Sequence, residues 1–309
     1  MNLAFVFPGQ GSQKIGMLSD MFTAYPSIKT VYDEASSVLD YDLWDIVSNG
    51  PDEKINSTDI TQPVMLAAGF AIWQVWLDKG GIQPALMAGH SLGEYTALVC
   101  AGALDFKQAI KLVSARGRYM QAAVPPGSGA MAAILGLDDD AVRRVCSESS
   151  TNGIVEAVNF NSPSQVVIAG EASAVQNATE IAKEAGAKRA VILPVSVPSH
   201  CQLMKPAAEM LAADLNDIEI RQPEIPVINN VSVEATSNPD EIKQALIKQL
   251  YQPVRWVEVI QAMASRGVDT IIECGPGKVL LGLNKRIDKS LSHAAFNSPD
   301  AINAQLANS

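Results

Sequence analysis

The chain has little of what several classes of protein require. Its 309 residues include only three histidines and four cysteines, and the cysteines show no C-x-x-C pair and no zinc-binding spacing. We therefore expect buried thiols in a reducing compartment, without a disulfide framework or a metal site. Aromatic residues make up 6% and hydrophobic residues 48% of the chain, a composition typical of a globular protein with a full core.

Positive charge is also scarce. The chain carries 23 Lys plus Arg against 33 Asp plus Glu, a formal net charge of -10. Sequence-independent nucleic-acid binding needs an excess of Lys and Arg to displace counterions from phosphates, so this class of function is disfavoured. An acidic partner would have to dock on a local basic patch.

Long apolar runs are missing as well. The uncharged apolar stretch from Val64 to Trp73 is shorter than the roughly 20 residues that span a membrane. The N-terminus has no basic segment before its short apolar run, unlike a secretion signal. We therefore expect no membrane segment and a cytoplasmic location.

Short apolar segments alternate with longer helical patterns, an order that predicts a parallel α/β sheet. LAFVF (3–7), ALMAG (85–89) and VDTIIECG (268–275) are typical of buried strands. Between 127 and 197 the order becomes strand, helix, strand, strand, helix, strand, as in a ferredoxin-like βαββαβ unit. Because proline-containing segments bracket this unit, we predict a parallel-sheet subdomain of residues 1–126 and 198–309 with an inserted subdomain of residues 127–197.

The most informative segment is ALMAGHSLGEYTALVCAG (85–102), an apolar strand followed by G-H-S-L-G and a helical pattern. This context indicates a nucleophile elbow, a strained turn that lifts the Ser91 hydroxyl clear of the sheet. Gly89 and Gly93 are needed because a Cβ at either position would collide with the neighbouring strand or helix. The backbone N–H of Leu92 is expected in an oxyanion hole. The alternative is a glycine turn in which Ser91 only caps a helix.

A serine nucleophile needs a base, and three histidines are available. His90 directly precedes Ser91, and adjacent side chains on a sharp turn point apart, so we expect His90 to pack beside the strand end. His293 lies in a Ser-, Ala- and Asn-rich C-terminal segment (290–309) that we expect to be poorly ordered. His200 lies near the end of PVSVPSHC, where two prolines stiffen the chain, and it is the favoured base.

Three further segments carry glycine or arginine near predicted element ends. FPGQGSQ (7–13) is followed by Lys14 where a dinucleotide-binding loop needs its third glycine, so it indicates either a loop whose N–H groups approach a ligand or an ordinary turn. GPGKVL (275–280) has Val279 where a P-loop needs Ser or Thr. KLVSARGRYMQ (111–121) predicts a helix whose Arg116 is either solvated or binds a substrate carboxylate.

Taken in order, FVFPGQGSQ, GHSLGEY, RGRYMQ, NFNSPSQVVIAG, PVSVPSHC and GPGKVL resemble the malonyl-CoA:acyl carrier protein transacylase family of bacterial fatty-acid synthesis. The resemblance runs from about residue 3 to residue 288. It implies an α/β-hydrolase-like large subdomain with a ferredoxin-like insert. It also implies ping-pong transfer of a malonyl group from malonyl-CoA to the phosphopantetheine thiol of acyl carrier protein, supplying the extender unit for fatty-acid synthesis.

The resemblance also implies a role for each matching residue. Ser91 would be the acylated nucleophile, His200 its base, and Gln249 in KQLYQPVRW the residue whose backbone carbonyl orients that histidine. The other implied site residues are the oxyanion-hole donors Gln10 and Leu92 and the substrate-binding residues Arg116 and Gln62.

Malonyl-CoA and acyl carrier protein are the partners that the resemblance implies, with no cofactor or metal and with the chain acting as a monomer. Acyl carrier protein is acidic, so a chain of net negative charge would receive it on a local basic patch. Two basic pairs are the docking candidates: Lys188 with Arg189, and Lys285 with Arg286.

Two other functions stay open from the residues. A serine esterase or thioesterase would use the same elbow with His293 as base, because the histidine comes late in α/β-hydrolase chains. A non-catalytic module that binds CoA or acyl carrier protein would keep the fold without turnover.

Overall fold

The described residues form two sheets, one parallel with five strands and one antiparallel with four. The structure is a computed structural model that describes residues 2–195 and 197–307. Residues 1, 196, 308 and 309, which fall within the predicted subdomains, lie outside the described residues.

In the described part of the chain the strands are β1 (Leu3–Phe7), β2 (Leu86–Gly89), β3 (Gly129–Leu135), β4 (Val155–Ser162), β5 (Gln165–Glu171), β6 (Arg189–Ile192), β7 (Val227–Ile228), β8 (Thr270–Glu273) and β9 (Ser292–Ala295). The helices are α1 (Ser19–Ala24), α2 (Ser27–Leu39), α3 (Leu43–Asn49), α4 (Asp52–Ile55), α5 (Thr58–Asp78), α6 (Gly93–Cys100), α7 (Phe106–Ala122), α8 (Asp139–Ser149), α9 (Ala172–Glu184), α10 (Lys205–Asn216), α11 (Pro239–Gln249), α12 (Trp256–Ser265), α13 (Val279–Ile287) and α14 (Pro299–Leu306).

The parallel sheet has the strand order β7-β2-β1-β8-β9. Every residue of β1, β2 and β8 is buried, as expected for parallel strands covered by helices on both faces. Phe7 pairs with Gly89, so β1 and β2 end side by side. The loops that follow these two strands therefore leave the sheet at the same edge, where sites in open α/β sheets form. The three strands predicted from the sequence are confirmed.

The antiparallel sheet has the strand order β4-β5-β3-β6. Its elements follow one another as β3-α8-β4-β5-α9-β6, and α8 and α9 bury their apolar faces on the sheet in a core of their own. This order and pairing are those of a ferredoxin-like unit, so the predicted fold class is confirmed. The sheet spans Gly129 to Ile192, and the subdomain limits at 126/127 and 197/198 stay a prediction.

The two sheets are joined through backbone hydrogen bonds between β4 and the segment before α12. The Phe160 N–H donates to the Val254 carbonyl at 3.0 Å, and the Val254 N–H donates to the Val158 carbonyl at 2.8 Å. Because these groups are buried, leaving them unpaired would cost free energy, which favours a defined placement of one sheet against the other.

Helix α5 is longer than the apolar stretch that its sequence suggested. By length and composition it is the one described helix able to cross a membrane, but 83% of its most apolar 18-residue window is buried inside the fold. It packs against α2, α6 and α7, which is the behaviour of a core helix.

The expectation of a poorly ordered C-terminal segment is wrong. Residues Ser292–Ala295 form β9, which pairs with β8 in parallel, and Pro299–Leu306 form α14. Between them Phe296 is fully buried and packs edge-on against Phe5, while Ile302 is buried on α14. Apolar contacts with the sheet therefore hold this segment in place despite its Ser- and Ala-rich composition.

Candidate active site

The turn after β2 has the shape of a nucleophile elbow. Ser91 has φ 52°, a left-handed conformation that a non-glycine residue rarely adopts. A Cβ on Gly89 would lie 1.8 Å from the Gly93 carbonyl carbon, and one on Gly93 would lie 2.0 Å from the Phe7 carbonyl oxygen. Leu92, not Ser91, is the N-cap residue of α6. The glycines thus let the turn close tightly, and the Ser91 side chain is not used as a cap.

His200 meets Ser91 across the site. Ser91 Oγ lies 2.7 Å from His200 Nε2, and His200 Nδ1 lies 2.6 Å from the backbone oxygen of Gln249. A carbonyl oxygen can only accept a hydrogen bond, so Nδ1 carries the ring proton and Nε2 presents its lone pair to the serine hydroxyl. His200 also has φ 68°, and its N–H donates to the Leu250 carbonyl. The imidazole is therefore held by backbone groups in the tautomer that a general base needs.

The other two histidines have different surroundings. His90 Nε2 lies 2.7 Å from Asn161 Oδ1 on β4, and the ring packs against Trp256 with centroids 5.4 Å apart. His90 thus links the elbow to the antiparallel sheet, beside the strand end as expected. His293 lies on β9 with its Nε2 2.8 Å from the Asp288 carbonyl oxygen. The structure pairs Ser91 with His200 and not with His293.

The charge state of His200 follows from its burial. Only 3% of the residue is exposed, and desolvation, followed by repulsion from the Arg116 guanidinium, lowers its pKa to about 3. The hydrogen bond to Gln249 opposes this shift without cancelling it. At neutral pH the imidazole is therefore uncharged and able to accept the Ser91 proton.

Arg116 lies on α7 with 1% exposure, so it is not a solvated side chain. One terminal nitrogen donates to Gln62 Oε1 at 2.7 Å, and the other donates to Gln249 Oε1 at 3.1 Å. Its guanidinium also lies 5.3 Å from the centre of the Tyr95 ring. Arginine has five N–H donors, so donors remain for a carboxylate. Burial lowers the pKa of Arg116, yet an arginine stays charged at neutral pH.

Asn230 follows β7 and clamps the elbow, a role that was not predicted from the sequence. Its Nδ2 donates to the Gly89 carbonyl at 2.7 Å, and its Oδ1 accepts from the Ser91 N–H at 2.7 Å. The two bonds reach both sides of the strained turn from one fully buried side chain. The available signal was a polar pair, Asn229 and Asn230, directly after the apolar segment PVI (226–228).

Glu94 is the second residue of the site that was not predicted from the sequence. Its Oε2 accepts from the Asn230 N–H and from Gln249 Nε2, both at 2.9 Å. Burial raises the pKa of Glu94 to about 7, although its hydrogen bonds and the charge of Arg116 oppose that rise. The signal was a single charged residue in the otherwise uncharged helix GEYTALVC (93–100).

A cavity of about 210 Å³ opens beside Ser91, His200 and Arg116. Gln10, Leu92 and Gln62 line it too, so all the predicted site residues except Gln249 line the cavity. Gln249 is hydrogen-bonded to three of them, Ser91, Arg116 and His200. The rest of the wall is largely apolar and includes side chains from both sheet regions: Met120, Met131, Val167, Leu193, Val195 and Val197. An apolar wall strengthens electrostatic interactions within the cavity.

Two residues that line this cavity have free backbone N–H groups. Within residues 2–195 and 197–307, the N–H groups of Gln10 and Leu92 have no hydrogen-bond acceptor. The loop after β1 comes close to the elbow because Gly9 has no side chain: a Cβ there would lie 2.6 Å from the His90 carbonyl oxygen. Free N–H groups from two converging loops are what an oxyanion hole requires.

The predicted docking pairs are exposed at separate places. Lys188 and Arg189 lie at the start of β6, the strand that leads to the cavity residues Leu193 and Val195. Lys285 and Arg286 lie on α13, and Arg286 donates to Gln165 Oε1 at the start of β5. No group of three or more His, Cys, Asp or Glu that could hold a metal ion occurs among the residues that the structure describes.

The chain is similar to known proteins along nearly its whole length. The family model described as the acyl transferase domain matches residues 4–299. The malonyl CoA-acyl carrier protein transacylase of Escherichia coli K12 is 54% identical over 303 residues, 98% of each chain. An acyl carrier protein S-malonyltransferase structure from Vibrio cholerae O1 has a TM-score of 0.96 at 57% identity, covering 99% of this chain and 100% of that one. A malonyl-transacylase solved in complex with its type II PKS acyl-carrier protein has a TM-score of 0.99 at 55% identity, covering 100% of both.

We expect His200 to stay uncharged well below the usual pKa of histidine. Its folded-state pKa of about 3 is lower than the 6.5 of an unperturbed histidine, so its contribution to the free energy of unfolding is complete above pH 6.5 and is lost as the pH falls toward 3. NMR titration should show no protonation of this imidazole from about pH 8 to about pH 5. Relative to His200→Gln, the stability of the chain should fall by up to about 1.4 kcal/mol for each pH unit between pH 6.5 and pH 3. A protonation midpoint near 6.5 would contradict the prediction.

Proposed function

The chain belongs to the acyl transferase domain family, and on this premise we propose that it transfers the malonyl group of malonyl-CoA to the phosphopantetheine thiol of acyl carrier protein. It is an acyltransferase, and the transfer runs through a malonyl ester of Ser91. The observation that carries the proposal is the 2.7 Å contact between Ser91 Oγ and His200 Nε2 in a cavity that Arg116 also lines. These groups provide a nucleophile, a base and a carboxylate-binding cation in one cavity.

The first half-reaction acylates the serine. Ser91 Oγ attacks the thioester carbonyl carbon while its proton passes to His200 Nε2, and the carbonyl electron pair moves onto the oxygen. The free N–H groups of Gln10 and Leu92 hold this oxyanion. When the C–S bond breaks, the CoA sulfur leaves and takes the proton from Nε2. A malonyl-serine ester and free CoA result, and the imidazole is neutral again.

The second half-reaction reverses these steps with another thiol. The phosphopantetheine thiol of acyl carrier protein gives its proton to His200 Nε2 and attacks the ester carbonyl carbon. The oxyanion forms at the same N–H groups, and the C–O bond to Ser91 breaks as Nε2 returns the proton to Oγ. One base therefore serves both halves, which a ping-pong reaction between two thiols requires.

The serine thioesterase remains the alternative, and it is less well supported. A thioesterase of this type would use His293, which comes late in the chain, as its base. His293 Nε2, however, lies beside the Asp288 carbonyl oxygen, whereas His200 Nε2 lies 2.7 Å from Ser91 Oγ. Water is the competing acceptor for the ester, and the apolar wall around the cavity disfavours its entry.

The proposed chemistry needs no cofactor and no metal, because Ser91, His200 and two N–H groups supply each of its elements. A role in fatty-acid synthesis and a cytoplasmic location belong to the same proposal. All four cysteines are free and buried, which suits a reducing compartment.

Mass spectrometry of the intact protein after brief incubation with malonyl-CoA tests this function. We expect a malonyl-sized increment that is lost in Ser91→Ala, because the hydroxyl is the acyl acceptor. Holo acyl carrier protein should remove the increment faster than water does. Removal at the same rate by water alone would indicate a thioesterase, and an unmodified chain that still binds malonyl-CoA would indicate a binding module.

Arg116 should determine the preference for a carboxylate-bearing acyl group. Leaving a buried charge without its partner costs about 3–5 kcal/mol, so Arg116→Ala should slow acylation by malonyl-CoA by more than about a hundredfold. The rate with acetyl-CoA, which has no carboxylate, should hold or rise. Arg118→Ala on the same helix is the matched control, because Arg118 is exposed. An equal loss with both substrates would show that Arg116 does not bind the carboxylate.

The basic pairs Lys188 with Arg189 and Lys285 with Arg286 are the proposed docking residues for the acidic carrier protein. Replacing either pair with glutamate should slow removal of the malonyl group by carrier protein by roughly tenfold at low salt and should weaken its salt dependence. Lys29→Glu on α2, where the lysine pairs with Asp33, is the control for charge reversal alone. An unchanged removal rate and salt dependence would exclude the pair tested.

A further inference from the structure

Glu94 is a buried carboxyl group that the reaction described above does not use. It lies in the first turn of α6, three residues after Ser91, with 2% exposure, and its side chain does not line the cavity. The helix around it is buried and otherwise uncharged. Burying a carboxyl group is costly unless hydrogen bonds compensate it, so the contacts of Glu94 indicate its role.

Those contacts determine how the Gln249 amide is oriented. Gln249 Nε2 donates to Glu94 Oε2 at 2.9 Å and to the Ser91 carbonyl at 3.0 Å. Its Oε1 consequently faces Arg116, whose terminal nitrogen donates to it at 3.1 Å. A flipped amide would set Oε1 against two acceptors and Nε2 against a guanidinium that has only donors. Glu94 therefore favours the orientation in which Gln249 can hold Arg116.

The same residue also orients the base. The backbone oxygen of Gln249 accepts from His200 Nδ1 at 2.6 Å. Gln249 therefore holds Arg116 through its side chain and His200 through its main chain. Glu94 Oε2 accepts in addition from the N–H of Asn230, whose side chain clamps the elbow. Through Asn230 and Gln249, Glu94 Oε2 is therefore connected to the groups that hold the nucleophile, the base and the cation in place.

We propose that Glu94 is a positioning residue for the acyl group: by orienting the Gln249 amide it sets the guanidinium of Arg116 for the malonyl carboxylate. This inference rests on the proposed function. It predicts that the loss of Glu94 lowers the preference for malonyl-CoA over acetyl-CoA, and does not merely lower the rate with both. A carboxyl group that served only the stability of α6 would not change this preference.

The test measures single-turnover acylation of Ser91 by malonyl-CoA and by acetyl-CoA, using the intact-protein mass increment. Glu94→Leu removes the acceptor, and the ratio of the malonyl rate to the acetyl rate should fall by about tenfold or more. Glu94→Gln keeps an oxygen that can accept from Gln249 Nε2, so its ratio should stay within about threefold of the unmodified chain. Glu273→Leu is the matched control, a buried glutamate whose Oε2 accepts from the Leu281 N–H, and its ratio should not change.

A second pair of variants covers the case in which Glu94→Leu does not fold. Glu94→Asp keeps a buried carboxyl group, but its shorter side chain withdraws the acceptor oxygen from Gln249 Nε2. Glu94→Gln has no carboxyl group but keeps an acceptor oxygen at the same distance along the side chain. We expect the ratio of the malonyl rate to the acetyl rate to be lower in Glu94→Asp than in Glu94→Gln. The opposite order would overturn the proposal.

The Arg116→Ala background separates positioning from a general effect. Because Glu94 acts on the ratio through Arg116, Glu94→Leu should leave the ratio unchanged once the arginine is gone. A further fall by the same factor would overturn the proposal, as would equal losses with both substrates in the single variant. If the unmodified chain forms no adduct on Ser91, the proposed function fails and this inference fails with it. If the unmodified chain prefers malonyl-CoA over acetyl-CoA and Glu94→Leu keeps the same preference, this inference alone is overturned.

Discussion

The close approach of backbone at the end of β1, β2 and the start of α6 is the constraint on which the site depends. Gly89 and Gly93 leave no room for a Cβ, since one on Gly93 would lie 2.0 Å from the Phe7 carbonyl oxygen. In this crowded turn Ser91 takes a left-handed conformation, and α6 begins two residues later at Gly93. The nucleophile, the free N–H of Leu92 and the buried Glu94 all take their places from that single turn.

A strained turn persists only where its surroundings hold it. Asn230 bonds to the backbone on both sides of Ser91, and Gln249 bonds to the Ser91 carbonyl. Both residues also bond to Glu94, so the support is one connected network of buried polar groups. Buried polar groups that bond to one another in this way favour one defined arrangement over several similar ones.

Local patterns in the sequence predicted the strands around the site, the Ser91 elbow and the N–H of Leu92. The roles of Gln10, Gln62 and Gln249 were implied only by the resemblance to a known family. The strand–turn–helix around Ser91 has a two-glycine signature, and the apolar runs of β1, β2 and β8 are strand-like by length and composition. Local patterns misled where packing overrides composition: the Ser- and Ala-rich end of the chain forms β9 and α14 on the sheet, and α5 extends through polar residues at both ends. Glu94 and Asn230 were not predicted because one charged residue in an apolar helix, or one polar pair after a short apolar segment, carries no motif of its own.

The sequence by itself determined the two-sheet fold class, the elbow that presents Ser91, and the short set of histidines and arginines from which a site could be drawn. Only the tertiary structure decided which of them meet. His200 lies 109 residues from Ser91, and Gln249 lies 133 residues from Arg116, yet their side chains are in hydrogen-bond contact. Periodicity and turn signals act over a few residues, whereas these contacts arise when the segment after β6, helix α7 and the end of α11 meet beside the elbow that follows β2.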